Sequence, residues 1–312
     1  MKTNLTIITP TFDEVDSILQ CINKVKIVMK ENCPQINYEH IIIDNCSTDK
    51  TADIVLKESK KDKRIKLLVN SRNVGASRSI YMALTRACGD WIIPMLPADL
   101  QDPAEIIPIM LDKAVDGIEI VYGIRKNRQE KFLIRNLRKV YYRILRNLSN
   151  FNLQNDAGEF VLISSRVARS IIDVQHQNPY IRGMIAQTGA RFTSVSYTWN
   201  KREHGKSKSS AFVLADVAIS GMVSTTYIPA RISLIIGFMT SVLGVIAGLV
   251  YLFLTIFSSQ NTNSGIPTII ITMFFLGGIQ LFFLGLIGEY VLSIHRQINP
   301  EPKTTFSNEV NF

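Results

Sequence analysis

The sequence predicts an α/β protein, with a mostly parallel sheet covered by helices on both faces and a C-terminal hairpin of two transmembrane helices. Strand and helix patterns alternate from residue 5 to residue 122, which is typical of parallel sheets. Polar side chains gather directly after the strand patterns. No Asp, Glu, Lys or Arg occurs between Arg231 and Glu289, and two long apolar runs lie in that gap.

Each element of the sheet follows from local patterning. Short apolar runs predict buried strands, and the longer segments between them predict helices. The predicted strands are 5–9, 39–43, 65–69, 91–96 and 118–122, and the predicted helices are 14–30, 51–60, 76–87 and 103–115. Ligands of parallel sheets bind beyond the carboxyl ends of the strands. We therefore expect functional residues directly after the strands, in 10–14, 44–49, 72–75 and 99–102.

The apolar runs at 232–257 and 266–288 are each longer than the roughly 20 residues that cross a bilayer as a helix. Polar residues 258–265 would form the turn between them. Lys and Arg flank the runs on both sides and are missing from the turn, which predicts that both ends face the cytoplasm. Gly244 and Gly248 would let helices pack closely, within the hairpin or in a homo-oligomer. Two buried helices of a soluble core are the alternative, although such helices usually keep a polar stripe.

Most of the net charge of +9 lies in one segment. Residues 125–150 hold nine Lys and Arg against a single acid, Glu130, and apolar residues recur there at helical spacing. A basic amphipathic helix at 131–150 would lie on anionic lipid, and beside a transmembrane hairpin lipid is a simpler partner than nucleic acid. An ordinary solvated helix face remains the alternative.

The remaining composition predicts a cytosolic N-terminal domain. The first apolar stretch is too short for a signal peptide and is better explained as the first strand. The four cysteines show no CxxC spacing, which argues against a zinc site or a disulfide framework and fits a reducing compartment.

Five short motifs occur in a recognisable order. They are Thr-Pro-Thr-Phe-Asp-Glu at 9–14, Ile-Asp-Asn-Cys-Ser-Thr-Asp-Lys-Thr at 43–51, Ser-Arg-Asn-Val-Gly at 71–75, Pro-Ala-Asp-Leu-Gln-Asp-Pro at 97–103 and Arg-Glu-His-Gly-Lys-Ser-Lys at 202–208. With these motifs the chain resembles family 2 glycosyltransferases. With its hairpin it is similar to the polyprenyl-phosphate glycosyltransferases, which include dolichyl-phosphate mannose synthases and bactoprenol glucosyltransferases. The resemblance implies a Rossmann-like, A-type glycosyltransferase domain, a UDP- or GDP-linked sugar donor and a polyprenyl phosphate acceptor.

The resemblance implies that residues after the first three strands hold the nucleotide sugar. They are Pro10, Phe12, Glu14, Asp44 and Arg72. A second interpretation of the segment 44–49 is helix capping, because Ser47 or Asp49 precedes the helix predicted from Thr51. We expect both interpretations to hold: Asp44 would bind the base of the nucleotide, and the later residues would cap the helix predicted from Thr51.

Asp99 and Gln101 lie two residues apart after the fourth strand and would offer two oxygens to Mg²⁺ or Mn²⁺. Asp99 is therefore the candidate catalytic, donor-binding and metal-binding residue, since the ion would neutralise the departing diphosphate. Many relatives carry an acid where this chain has Pro97, which leaves Asp99 with fewer protein partners for a metal. The alternative is that Asp99 and Asp102 only begin the helix that has Pro103 in its first turn.

The segment 156–160 resembles the part of the family that lies beside the acceptor, and Asp156 would be the second catalytic residue. A phosphate monoester is mostly dianionic near pH 7, so Asp156 would orient or bind the acceptor or act as a base. Without the resemblance, this Asp is a turn residue. The resemblance implies that Arg202 and Lys208 bind the donor phosphates. The alternative is that these cations only reflect the general excess of Lys and Arg on the cytoplasmic side of membrane spans. The candidate ligands of the acceptor phosphate are Arg135, Arg138 and Arg182.

Together these patterns predict an integral protein of a bacterial inner membrane with four segments. They are a cytoplasmic glycosyltransferase domain at 1–200, a phosphate-binding loop and juxtamembrane interfacial helix at 201–231, two transmembrane helices at 232–294 and a cytoplasmic tail at 295–312. The predicted reaction is one in-line displacement at the anomeric carbon, with inversion.

Two alternatives remain open. A processive polysaccharide synthase is disfavoured, because neither Trp91 nor Trp199 lies in the Gln-x-x-Arg-Trp string that such enzymes usually carry. A catalytically idle lipid-carrier binder or flippase-like partner would fit Asn45 and Pro97, which stand where relatives tend to have acids.

Overall fold

The computed structural model describes residues 4–115, 117–126, 157–174, 179–199, 265–298 and 305–312, together with parts of 235–253. The interfacial helices predicted at 131–150 and within 201–231 lie outside these residues.

Eight strands form one mixed sheet in the described part of the chain. They are β1 Asn4–Thr11, β2 Asn37–Asp44, β3 Ile65–Asn70, β4 Trp91–Ile93, β5 Ile120–Lys126, β6 Ala157–Ser164, β7 Phe192–Thr198 and β8 Phe306–Val310. Their order in space is β7-β5-β6-β4-β1-β2-β3-β8. β4, β1, β2 and β3 are mutually parallel, as are β5 and β7, whereas β6 and β8 are antiparallel to their neighbours. The mostly parallel sheet expected from the sequence is confirmed.

Helices cover both faces of this sheet. Those described in the first 200 residues are α1 Ile18–Asn32, α2 Thr51–Lys61, α3 Ala76–Leu84, α4 Ile106–Asp112, α5 Ser165–Asp173 and α6 Ile181–Gln187. The side chains of Ile7 and Ile42 belong to the core beneath α1, α2 and α4, and those of Ile8 and Ile41 to the core beneath α3, α5 and α6. The central strands are buried on both faces, and for this reason their sequences are mostly apolar and do not alternate between apolar and polar residues.

Several element boundaries differ from the sequence prediction by a few residues, and two of these differences have a clear local reason. β4 ends at Ile93 rather than at residue 96, since Pro94 has no N–H group to donate to a ladder. α1 begins at Ile18 rather than at residue 14, because residues 13–15 donate their backbone N–H groups to side chains of the β2–α2 loop.

β8 lies in the segment predicted as a tail and completes the sheet beside β3. The backbone N–H of Ser71 donates to the carbonyl of Thr305 at 3.0 Å, next to the first β8 pair. The Nδ2 group of Asn311 donates to the carbonyl oxygens of Ser59 and Ile65, both at 2.8 Å. The segment after the apolar helix is therefore part of the α/β domain.

The chain divides into two units, one of Met1–Leu214 with Glu301–Phe312 and one of Ala215–Pro300. In the second unit the structure describes a short apolar helix, α7 (Ile235–Gly244), and a long one, α8 (Gly265–Ile298). Among the helices described, α8 alone is long and apolar enough to cross a membrane, by length and composition only. Much of the run 232–257 lies outside the described residues, so the predicted two-helix hairpin is not confirmed.

Candidate active site

The loops after β1 and β2 are joined by hydrogen bonds between side chains and backbone. The N–H groups of Asp13 and Glu14 donate to the hydroxyl oxygens of Ser47 and Thr51, both at 2.9 Å. In return, Asp13 Oδ1 accepts from the backbone N–H of Thr48 at 2.8 Å. These reciprocal bonds fix the predicted nucleotide-binding segment after β1 against the end of β2.

Asp44, the last residue of β2, is 1% exposed and organises the turn that follows. Its Oδ1 accepts from the hydroxyls of Thr11 at 3.1 Å and Ser47 at 2.5 Å, and its Oδ2 accepts from the Ser47 N–H at 2.9 Å. At the start of α2, Asp49 Oδ1 accepts from the N–H of Thr51 at 2.8 Å. The structure therefore shows Asp44 in a structural role, while its contact with a base stays a prediction.

Asn45 joins the β2 loop to the loop after β3. Its Nδ2 donates to Asn73 Oδ1 at 2.7 Å, and its Oδ1 accepts from Asn70 Nδ2 at 3.2 Å and from the backbone N–H of Val74 at 2.9 Å. A carboxylate at this position would lack the donor that faces Asn73. The amide at position 45 thus has a local structural reason.

Four described non-glycine residues hold a left-handed backbone, and three of them lie in the loops after β1, β2 and β4. Asp13, Cys46 and Leu100 have φ values of 52°, 63° and 53°. This region costs an L-residue roughly 1–2 kcal/mol and is enriched at binding and catalytic sites, where the surroundings impose it. Its occurrence after β1, β2 and β4 agrees with the expectation that functional residues lie at this edge.

Asp99 and Gln101 share one turn after β4. The backbone N–H of Gln101 donates to Asp99 Oδ1 at 3.1 Å, and both residues are half-buried. Carboxylate and amide oxygens are the hard ligands that Mg²⁺ and Mn²⁺ take, with water and substrate phosphates completing the shell. The donor types fit such an ion, although no group of three His, Cys, Asp or Glu suited to a metal occurs in the part of the chain that the structure describes. Metal binding here stays a prediction.

A small pocket lies beside the exit of β4. It is lined by Met95 after β4, Tyr122 of β5, Gly158 and Glu159 of β6, and Arg182 of α6, with further apolar side chains. Burial raises the pKa of the Tyr122 hydroxyl to about 12, and the charge of Arg182 acts in the opposite direction. In this pocket the positively charged Arg182 lies beside β6, which contains most of the predicted acceptor segment 156–160.

A buried ion pair beneath the Asp99 turn was not predicted from the sequence. Asp102 is 1% exposed and accepts from Arg125 of β5 in a forked pair, with Nε to Oδ1 at 2.8 Å and Nη2 to Oδ2 at 2.6 Å. The hydroxyl of Tyr197 on β7 also donates to Asp102 Oδ1. The guanidinium group of Arg125 lies over the Trp199 ring, 5.3 Å from its centroid.

The two side chains that donate to Asp102 keep their protons. Burial by itself would lower the pKa of Arg125, but the hydrogen bonds and charge of Asp102 outweigh it and leave that pKa raised. Burial and the negative charge of Asp102 both raise the pKa of Tyr197, so its hydroxyl remains a donor. Asp102 therefore belongs to a buried pair and does not serve as the first residue of α4, which begins at Ile106.

The described site residues fall at one edge of the sheet. The donor and metal candidates Pro10, Phe12, Glu14, Asp44, Arg72, Asp99 and Gln101 end or follow β1 to β4, and Arg72 is exposed. Arg182 lies on the pocket beside them. The remaining candidates lie outside the described residues: Arg135, Arg138, Asp156, Arg202 and Lys208. The binding and catalytic roles of all of them stay predictions.

A sheet with this strand order and with polar loops at the ends of β1 to β4 is the fold of an A-type glycosyltransferase. The family model described as Glycosyl transferase family 2 matches residues 6–172, more than half of the chain. The chain belongs to the family 2 glycosyltransferases, as its motifs indicated.

Several curated relatives match along nearly the whole chain. The uncharacterized glycosyltransferase YkcC of Bacillus subtilis is 28% identical over 297 residues, which are 95% of this chain and 91% of YkcC. The bactoprenol glucosyl transferase of Shigella phage SfV is 26% identical over 306 residues, which are 98% of both chains. The prophage bactoprenol glucosyl transferase homolog of Escherichia coli is 28% identical over 300 residues, with 96% and 97% covered. The resemblance to the polyprenyl-phosphate group is thereby confirmed.

The fold is also found among solved structures. Glucosyl-3-phosphoglycerate synthase from Mycobacterium tuberculosis, in complex with Mn²⁺, UDP-glucose and phosphoglyceric acid, superposes with a TM-score of 0.50 and 14% identity. The match covers 69% of this chain and 76% of that protein. At this identity the likeness shows a shared fold.

Proposed function

We propose that the chain transfers a hexose from a UDP- or GDP-linked donor to a polyprenyl phosphate, with inversion at the anomeric carbon. The observation that carries the proposal is the edge at which the loops after β1, β2 and β3 are hydrogen-bonded to one another beside the Asp99 turn. Relatives named bactoprenol glucosyl transferase, matched over nearly their whole length, support the lipid acceptor.

The donor would lie across the loops after β1, β2 and β3. Phe12 and Glu14 are half-buried on a loop that is held by hydrogen bonds, so they would receive a flat base and a ribose with little rearrangement. Arg72 is exposed directly after β3, where a guanidinium group suits phosphate oxygens. Arg202 and Lys208 would add cations to the diphosphate.

Asp99 and Gln101 would hold Mg²⁺ or Mn²⁺ against the donor diphosphate. When bound, such an ion neutralises the charge that develops on the leaving nucleoside diphosphate. The fold relative crystallised with Mn²⁺ and UDP-glucose supports this choice of ion. The hydrogen bond between the Gln101 N–H and Asp99 Oδ1 would keep the two side chains in one turn.

The acceptor phosphate would approach from the pocket beside β6. Arg182 would bind its oxygens, together with Arg135 and Arg138 from the basic segment, and Asp156 would orient it. One phosphate oxygen attacks the anomeric carbon while the bond from that carbon to the donor phosphate breaks. The attacking oxygen is already deprotonated near pH 7, so the step releases no proton and forms no covalent enzyme intermediate.

The membrane would supply the lipid acceptor. α8 is apolar and none of the window Phe275–Leu292 is buried, as expected of a helix that faces lipid. We propose that α8 and the run 232–257 anchor the catalytic domain with both ends of the hairpin in the cytoplasm. The basic segment 131–150 would lie on the same anionic surface.

The test is transfer of labelled sugar by the full-length chain in lipid nanodiscs that contain undecaprenyl phosphate. Each UDP- and GDP-hexose is supplied with Mn²⁺, and the lipid fraction is counted. We expect a glycolipid with at least one donor, loss of product with EDTA, and a decrease of at least about 10²-fold in Asp99→Asn, because that change removes a charged metal ligand.

Glu105→Gln is the matched control. Glu105 is an exposed carboxylate six residues further on, paired with Lys24 at 2.5 Å, and its neutralisation should leave turnover unchanged. Undiminished turnover in Asp99→Asn would place the active centre elsewhere. Binding of the lipid with no product from any donor would support the idle lipid-carrier binder instead.

A further inference from the structure

The guanidinium group of Arg125 contacts both sides of the candidate active site. It holds Asp102, three residues after Asp99, through two hydrogen bonds. It also packs against β6, because a Cβ atom added to Gly158 would lie 3.1 Å from Arg125 Nε. Gly158 belongs to the acceptor segment 156–160. One side chain thus lies between the predicted metal turn and the predicted acceptor strand.

The surroundings leave this side chain little freedom. The hydroxyl of Tyr197 donates to the same carboxylate, and the Tyr197 ring packs edge-on against Phe160 of β6 at 5.8 Å between centroids. A forked pair between a guanidinium group and a carboxylate fixes direction as well as distance. The Asp102 side chain is 2% exposed and that of Arg125 is 21% exposed, so the carboxylate is almost fully shielded from water. A displacement of Arg125 would therefore be transmitted to the turn and to the strand together.

We propose that Arg125, with Asp102 and Tyr197, is a positioning residue that sets the metal turn at Asp99 relative to the acceptor strand β6. The proposal rests on the proposed function, since it assigns these two elements to donor and acceptor. In this role Arg125 acts through Asp102 and through β6. Its task is to keep the anomeric carbon and the attacking phosphate oxygen in line, where a misplacement of about 1 Å can lower the rate about 10²-fold.

The test compares the same substitution in two forked pairs. Arg125→Lys keeps the positive charge but loses the fork. Arg166→Lys is the matched control, because Arg166 makes a forked pair with Glu119 that is exposed and outside the candidate site. We measure kcat, donor KM and melting temperature in nanodiscs, together with hydrogen exchange of peptides that cover 95–105 and 157–162.

In Arg125→Lys we expect kcat to fall by about 10²-fold, a donor KM within about threefold of wild type, and faster exchange in both peptides. The control should keep its kcat and both exchange rates. Gly158→Ala should act in the same direction, because it displaces the guanidinium group without removing any donor. If Arg125→Lys does not fold, Tyr197→Phe removes one hydroxyl and should show the same pattern with a smaller loss.

Unchanged exchange in both peptides would overturn the proposal whatever the activity. Faster exchange with a kcat loss no larger than that of the control would also overturn it, because the network would then be only structural. A wild-type protein that makes no glycolipid would refute the proposed function, and the positioning role would fall with it. If the wild type is active and the Arg125 network variants keep its kcat, only the positioning role is refuted.

Discussion

Acidification below pH 6.5 should destabilise the α/β domain through His40. This residue of β2 is 1% exposed, and its Nε2 lies 2.8 Å from the Thr9 hydroxyl. Burial, with a smaller effect of the nearby charge of Lys26, lowers its pKa from 6.5 to about 3. Between these values the unfolded chain binds a proton that the folded chain does not bind, so the free energy of unfolding decreases as the pH falls.

The magnitude follows from the two pKa values. Each pH unit between them removes about 1.4 kcal/mol. At pH 5 the protein should therefore have lost about 2 kcal/mol relative to pH 8, which lowers the melting temperature by about 4–8 °C for a domain of this size. Carboxylates with depressed pKa values, such as Glu58 and Glu119, lose their contribution only at lower pH. Burial raises the pKa of Glu159, which acts in the opposite direction, so the contribution of His40 is read from the difference between wild type and a variant that lacks this histidine.

The assay is thermal unfolding of the full-length chain in detergent, followed by tryptophan fluorescence, because both tryptophans lie in the α/β domain. His40→Gln keeps a polar group beside Thr9 and cannot titrate. We expect the variant to lose about 2 kcal/mol less than wild type between pH 8 and pH 5. Equal losses in the two proteins would refute the assignment of the pH dependence to His40.

Three further substitutions test other parts of the structure. Asn45→Asp should weaken nucleotide-sugar binding, measured by calorimetry, and lower stability by about 1–3 kcal/mol, because a carboxylate oxygen would face Asn73 Oδ1; unchanged affinity would contradict this role. Gly89→Ala should abolish folding, seen as loss of the cooperative melting transition, since its Cβ would lie 2.6 Å from backbone atoms of β1 and β4. Asn311→Ala should lower local stability by about 2–4 kcal/mol, because it loses two hydrogen bonds and leaves alanine at φ 67°. Hydrogen exchange of β8 measures this effect, and Asn311→Gly, which relieves the backbone strain, should lose less.

The part of the fold that the sequence predicted is the part with strong local patterning. In the runs at 39–43 and 65–69, seven of the ten residues are aliphatic and most of these are buried in the sheet, so the local pattern is clear. β8 was not predicted from the sequence, because its middle residues are exposed at the sheet edge and form no apolar pattern. These residues are Ser307, Asn308 and Glu309. The chain bends after β1 because of side chains in another loop, and it bends after β4 because of Pro94. For these reasons α1 begins later and β4 ends earlier than the sequence predicted.

For the site, the sequence predicted the location but not the interactions that build it. Asp99 and Gln101 were predicted from a motif of neighbouring residues, and they share one turn. The partners of Asp102 lie 23 and 95 residues away along the chain, at Arg125 and Tyr197. Pairing over such separations has no signature in a single sequence. Arg125 was instead counted with the basic segment that follows it.

The place of β8 in the sheet has a consequence for biosynthesis. Ser71 and Thr305, which meet at the start of this strand pair, are 234 residues apart in the chain. The ribosome must therefore translate the apolar helix before β3 can acquire its outer partner. Until then one hydrogen-bonding edge of β3 is open, and an open edge can pair with other nascent chains. Completion of the sheet is thus tied to synthesis of the apolar helix α8.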